Sequence, residues 1–413
     1  VESQLLGSQN DMATIRLGLW LRRLGGPGGE APAAPDAGTP PAGEWRAAWI
    51  SYIELQGMDY TSAEAFRAGA AAMMDRCAGL GLNTVIVQVR PFGDALYPSA
   101  LFPWSHICTG VQGVSPGFDP LDILLTEAHS RGLSFEGWIN PYRLQASASS
   151  PGTLAAGNLA NTHPDWVAAA GGGLYLNPAI PEAAAYVVEG VAELVRTYPV
   201  DGVHFDDYFY PTTDPAIDAA RFAASGAADL AEWRRQNVTA LVKAAHDAVK
   251  AADPTLRFGV SPQGNPDNDM SQQYSDVRGW LAAGSEDAVV DYLCPQLYWG
   301  YGYTLSNGSR RFAYENILAE WLAMPRGSAA LYVGLGAYRI GEGDGGSNGD
   351  SVSGWSTGRA LADQVGTLRA AGAGGYALYR YGSLFQNTAW PQLAEAECAA
   401  LTAANAPDGG RAG

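Results

Sequence analysis

The chain has 413 residues, of which 47% are hydrophobic and 16% charged; this balance supports a large buried core and excludes a disordered chain, a fibre or a coiled coil. Its 25 Lys+Arg against 42 Asp+Glu give a net charge of −17, which repels nucleic acid and anionic lipid, so neither a nucleic-acid partner nor strong membrane-surface binding is expected. The length admits two ordinary domains or one α/β barrel with insertions.

Residues 13–24 (ATIRLGLWLRRL) are apolar but interrupted by Arg16, Arg22 and Arg23, too short and too charged for an intact signal segment. Residues 25–43 are mostly Gly, Pro and Ala and read as a semi-stiff tether. Residues 1–43 are therefore an N-terminal segment with linker, 44–403 the globular unit, and 404–413 a tail.

From Glu44 onward, short apolar strands alternate with amphipathic helical stretches, the pattern of parallel strands with crossover helices. Strands are expected at 46–51, 84–89, 135–139, 202–207, 257–262, 289–295, 330–336 and 375–380. After the first strand, Thr61 and Glu64 suggest a capping box, with Phe66, Ala70, Met73, Cys77 and Leu80 on one helical face. Asp119 and Pro120 suit an N-cap and first turn. A long loop is expected over about 145–173, then a helix from Pro181. Further helices fit at about 226–252, 274–283, 312–324, 357–371 and 391–403. Eight strand–helix units in succession predict a (β/α)8 TIM barrel with long βα loops.

Barrel chemistry sits at the carboxyl ends of the strands. Those ends are rich in carboxylates, amides, arginines and aromatics, and no cofactor motif appears among them. Asp206 and Asp207 form the strongest signal. Two adjacent carboxyls after an apolar strand repel each other and face desolvation, so at least one has a raised pKa and is available as a general acid. The alternative is a helix cap or a pairing with arginine. His204 shares the strand face of Asp206 and either supports it from below or is a core histidine.

Other motifs lack their context. Gly113–Gly117 spells G-x-S-x-G but follows no strand and carries a Pro after the Ser. The Gly-rich stretch 334–346 has neither a Walker Lys nor a Rossmann acidic partner. The four cysteines and five histidines show no ligand spacing, so no metal and no cofactor is expected. Twelve Trp and 20 Tyr supply the flat faces that stack on sugar rings.

The segments NTVIVQVRPFGDALYPS (83–99), GFDPLDILLTEAHSRGL (117–133), WINPYR (138–143), DGVHFDDYFYP (201–211), FGVSPQGN (258–265) and YLCPQLYWG (292–300) resemble the bacterial glycosyl hydrolase-like family of barrel proteins. The resemblance runs from about Glu44 to about Ala400. That family includes a divisome-localised hydrolase acting on peptidoglycan strands stripped of their peptides. What the resemblance implies is glycosidic hydrolysis in a bacterial envelope, hence an extracytoplasmic location. One position departs from the pattern: Glu136 stands where the family usually carries His, and it is either a third site carboxylate or a buried partner of Arg90 or Arg143.

On this reading Asp206 and Asp207 are catalytic. Arg90, Arg143, Arg339 and Arg380 suit the lactyl carboxylate of muramic acid, which a guanidinium binds bidentately. Asn140, Gln263 and Gln296 suit hydroxyls and acetamido groups, while Tyr142, Tyr208, Tyr298, Trp299 and Tyr338 suit ring faces. The expected partner is an N-acetylated glycan. A non-catalytic glycan-binding barrel is the alternative, because only one carboxylate pair is visible and most glycosidases place a second carboxylate on another strand.

Overall fold

The computed structural model describes residues 38–348 and 351–407. The expectations for 1–37 and for the end of the tail lie outside these. Among the described residues, twelve strands follow in chain order: β1 (Trp45–Ile50), β2 (Thr84–Arg90), β3 (Ser134–Ile139), β4 (Arg143–Gln145), β5 (Val167–Ala170), β6 (Gly173–Leu176), β7 (Gly202–Phe205), β8 (Arg257–Val260), β9 (Tyr292–Leu293), β10 (Ala330–Leu331), β11 (Val333–Gly336) and β12 (Gly375–Tyr379). The longer helices are α1 (Ala63–Gly79), α2 (Pro120–His129), α3 (Pro181–Thr197), α4 (Leu230–Ala252), α5 (Val277–Ala282), α6 (Tyr314–Leu322), α7 (Ala360–Ala371) and α8 (Pro391–Asn405).

Nine strands pair in the order β10-β9-β8-β7-β3-β2-β1-β12-β11, all parallel. The two ends of that order, β10 and β11, are halves of one expected strand, parted only at Tyr332. β10 pairs with β9 and β11 with β12, while Gln296 bridges to Gly334, so the sheet curls into a nearly closed α/β barrel. Because side chains alternate along a strand, the apolar residues divide into two sets. Trp45, Ala47, Trp49, Ile86, Trp138, Tyr292, Cys294 and Ala377 fill the interior. Val85, Val87, Val89, Val203, Phe205 and Phe258 belong to the larger core cluster, together with buried residues of the surrounding helices.

Several boundaries differ from expectation for local reasons. Asp119 caps α2 as expected, accepting from Leu121 and Asp122 (3.0 and 3.2 Å). The cap of α1, however, is Ser62, which accepts from Ala65 (3.1 Å), while Thr61 turns back to Asp59. Pro262 and Pro295 cannot donate to a ladder, and β8 and β9 stop before them. α5 starts late because Tyr274 is left-handed (φ 55°) and Asp276 caps the helix.

The stretch expected as a loop at 145–173 holds an antiparallel sheet, β4-β6-β5. Its hairpin turns at Gly171 and Gly172, both with positive φ (56° and 83°), the Gly-Gly chemistry that two-residue hairpins require. The loop between β7 and α4 is tied down by a fully buried pair, Arg234 with Asp218 at 2.6 Å. No described helix is long and apolar enough to cross a membrane.

Candidate active site

β7 ends at Phe205, and the next two residues carry the carboxyls. Asp206 continues the inward face of His204. Its Oδ2 accepts from Trp138 Nε1 (3.2 Å) and from the amide of Asn140, and its Oδ1 from the backbone N–H of Tyr208 (3.3 Å). Asn140 is itself fixed on its oxygen by Gln88 and by Arg143 Nη2 (3.1 Å), and Gln88 accepts from the Tyr52 backbone (2.8 Å). A chain of hydrogen bonds from the Tyr52 backbone through Gln88 and Asn140 thus ends on Asp206.

Asp207 turns toward β8 and β9. Gln296 Nε2 donates to its Oδ1 (3.0 Å) and also reaches the Ser261 carbonyl and hydroxyl (both 3.1 Å). Both carboxyls are buried, at 5% and 7% exposure. Burial, then the neighbouring Asp207 charge, push Asp206 up to about 7, against the pull of Arg143 and its hydrogen-bond donors. Burial likewise raises Asp207, opposed by the amides of Gln296 and Gln263. Among the described residues Asp206 accepts three hydrogen bonds and Asp207 one, from Gln296, so Asp207 keeps the freer oxygen.

Arg143 is half-buried, its guanidinium 4.5 Å from the Phe92 ring centroid and 5.7 Å from that of Tyr52. Nε donates to the Pro91 carbonyl (3.0 Å) and Nη2 to Asn140, which leaves Nη1 without a hydrogen-bond partner among the described residues. Across the mouth, Tyr298 stacks on Tyr379 (5.5 Å, 20°) and both meet Tyr338 edge-on. Arg339 braces this group by donating to the Tyr298 carbonyl (3.2 Å) and lying over Tyr338. Tyr208 and Tyr338 are exposed, at 53% and 36%. Gln263 is part-buried beside Asp207, and Trp299 stacks on Phe312 (5.0 Å) over Gly264.

A match to the model of the family described as "Glycosyl hydrolase-like 10" spans residues 44–347, including every residue of the carboxyl pair and its donors. The chain belongs to that family. It is 37% identical over 323 residues to "Glycosyl hydrolase YngK" of Bacillus subtilis (strain 168), covering 72% of this chain and 61% of that protein. It is 36% identical over 299 residues to "Glycosyl hydrolase DigH" of Escherichia coli (strain K12), covering 65% of each. The chain thus spans less than two thirds of the length of these relatives. Among solved structures, the glycoside hydrolase domain of PgaB (BpsB) from Bordetella bronchiseptica superposes with a TM-score of 0.55 at 15% identity, over 87% of this chain and 99% of that one. The β-amylase catalytic domain from Paenibacillus polymyxa gives 0.53 at 11% identity, over 88% and 99%. These two likenesses speak for the barrel fold.

Four expectations for this glycosyl hydrolase-like chain are corrected by its geometry. Arg90 does not face the mouth: the register shifts between Gln88 and Arg90, and its guanidinium lies 3.8 Å from the Phe102 ring centroid against α3. Tyr142 is buried at 1% exposure in the outer core and its hydroxyl reaches no partner among the described residues. His204 is a core histidine. Trp49 Nε1 can only donate, so His204 Nε2 accepts it (3.2 Å); the ring proton is then on Nδ1, facing the Tyr292 hydroxyl (2.8 Å), and burial holds the imidazole pKa down to about 3. Glu136 lies in the barrel interior, accepting a hydrogen bond from the Tyr292 hydroxyl and facing Arg257 at 4.0 Å, with neither Arg90 nor Arg143 as partner.

Arg380 is engaged by the buried Glu54, which also accepts from Gly382 (2.9 Å). Sequence reasoning gave no site role to Trp138, Gln88, Ser261 and Tyr379. Gln88 shares an inward strand face with Ile86, so side-chain parity alone could have found it.

Proposed function

We propose that this barrel hydrolyses glycosidic bonds in N-acetylated bacterial cell-wall glycan, with peptide-free peptidoglycan strands as substrate, outside the cytoplasm. The observation that carries the reading is the buried Asp206–Asp207 pair, both carboxyls pushed up by burial, at the carboxyl end of a barrel strand. Neighbouring side chains leave the backbone from nearly one point and do not flank a glycosidic bond as separated acid and nucleophile. They suit a substrate that brings its own nucleophile.

In this reading the 2-acetamido oxygen attacks the anomeric carbon as the bond to the leaving oxygen breaks. Asp206, held by three donors, orients and polarises the acetamido N–H. Asp207, with its freer oxygen, protonates the leaving oxygen and then takes a proton from the water that opens the oxazolinium ring. Tyr298 flanks the acetamido group, and Arg143 Nη1 meets the lactyl carboxylate of muramic acid. The local cation offsets the acidic net charge where an anionic glycan must dock.

The test compares substrates of different leaving-group ability. Asp207→Asn is expected to lose most turnover on natural glycan and to keep it on aryl glycosides with good leaving groups, whereas Asp206→Asn loses both. A thiazoline mimic of the oxazoline intermediate is expected to inhibit. A covalent glycosyl ester trapped on any carboxylate of the chain would overturn the substrate-assisted route.

A further inference from the structure

The loops that leave the carboxyl ends of β11 and β12 meet at a tryptophan that the mechanism above does not use. Trp390 ends the loop after β12, immediately before α8, and is 40% exposed. It packs on Gly341, in the loop after β11. A Cβ at Gly341 would stand within 2.7 Å of Cγ, Cδ1 and Cδ2 of the indole. A point that close to three joined ring atoms lies over the ring face and not at its edge. Glycine backbone therefore covers one face of the indole, and the exposed area falls to the other.

The ring is fixed on both sides of this contact. Trp390 Nε1 donates to Glu342 Oε1 (2.9 Å), and its backbone N–H to Asn387 Oδ1 (2.8 Å). Gly341 has a φ of 73°, and its N–H donates to the carbonyl of the buried Trp355 (2.9 Å). The N–H groups of Glu342 and Gly343 both donate to the Arg339 carbonyl (3.0 Å each). A flat apolar face held in place before binding loses little freedom when a ligand covers it.

Both loops belong to the barrel face that carries the carboxyl pair. Tyr338, three residues before Gly341 in the same turn, meets Tyr298 and Tyr379 edge-on. Tyr379 meets Trp49 edge-on at 5.8 Å, and Trp49 donates to His204, which shares the inward face of Asp206. A path of aromatic rings thus runs from the floor beneath Asp206 through Tyr379 and Tyr338 to Trp390 at the rim.

We propose that Trp390 and Glu342 form a distal sugar subsite, where the free indole face stacks on a neutral N-acetylhexosamine ring of the glycan chain threaded through the mouth. The proposal rests on the glycan reading of the site and deepens it, because it makes the substrate a long strand held at a point remote from the bond that breaks. A pyranose offers an apolar C–H face and a rim of hydroxyls. The indole takes the face. Glu342 Oε2, which accepts no hydrogen bond among the described residues, takes a hydroxyl. The same carboxylate repels the lactyl carboxylate of muramic acid, which selects the neutral sugar.

The experiment is isothermal titration of chitin disaccharide, tetramer and hexamer into the intact chain carrying Asp207→Asn, which removes the acid and spares the ligand, with and without Trp390→Ala. Affinity is expected to rise with length. Trp390→Ala is expected to weaken hexamer binding by roughly three- to tenfold, the size of one aromatic stack, and to leave the disaccharide unchanged. Equal losses on both ligands would make Trp390 a loop brace and overturn the proposal, and a gain with length that survives Trp390→Ala would do so as well. Either result leaves the reading of the carboxyl pair standing.

If Trp390→Ala does not fold, the indole N–H resonances of the Asp207→Asn chain decide. The Trp390 signal, identified by its loss in Trp390→Phe, is expected to shift with hexamer and not with disaccharide; no shift with hexamer overturns the proposal. Failure of every oligomer to bind defeats the glycan reading and the subsite together. Length-dependent binding by a wild-type protein that releases no reducing ends defeats the glycosidase reading and leaves the subsite in place.

Discussion

Asp206→Asn gives the most direct access to the electrostatics of the pair, through stability and not turnover. The Asp206 pKa rises from 3.8 to about 7 on folding. The folded protein therefore binds the proton more tightly than the unfolded chain between those values, and stability falls as pH rises through that window. A shift of about three units corresponds to about 4 kcal/mol. That is a ceiling for the substitution, because Asn retains one acceptor oxygen but turns an N–H toward the donors on Asp206.

Denaturant titration of wild type and Asp206→Asn at pH 5 and pH 8 isolates the ionisation, since the packing change is common to both. The variant is expected to gain about 2 kcal/mol or more on wild type between pH 5 and pH 8, roughly half the ceiling. Equal stability differences at the two pH values would refute the raised pKa and with it the strained pair.

Two further substitutions separate binding from scaffold. Arg143→Ala is expected to weaken binding of muramic-acid-containing glycan more than of chitin oligomers, by roughly 1.5–3 kcal/mol for one charge-assisted bond; isothermal titration with both ligands checks it. Because Arg143 pulls the Asp206 pKa down, the same variant is expected to move the Asp206 titration upward. Glu136→Ala leaves the buried Tyr292 hydroxyl without its acceptor and is expected to cost about 1–3 kcal/mol in denaturant titration. Its turnover per folded molecule is expected to hold, since Glu136 touches neither carboxyl of the pair.

Strand periodicity and the strand-end rule made the barrel and the Asp206–Asp207 pair legible in the sequence, because both depend on local pattern. The β4-β6-β5 sheet escaped although Gly171-Gly172 signalled its turn, since the surrounding Ser and Ala residues carry little alternation. Arg90 was misplaced because a register shift between Gln88 and Arg90 leaves no trace in composition. His204 and Glu136 became neighbours of Tyr292 only when β3, β7 and β9 came together, pairings far apart in sequence.

The central claim is hydrolysis at the Asp206–Asp207 pair, and digestion of amidase-treated peptidoglycan in 18O-labelled water, read by mass spectrometry, tests it directly. The account predicts shorter glycan chains whose new reducing ends carry one 18O, lost in the Asp206→Asn protein. Binding without cleavage, or products ending in 1,6-anhydro sugars with no label, would contradict it.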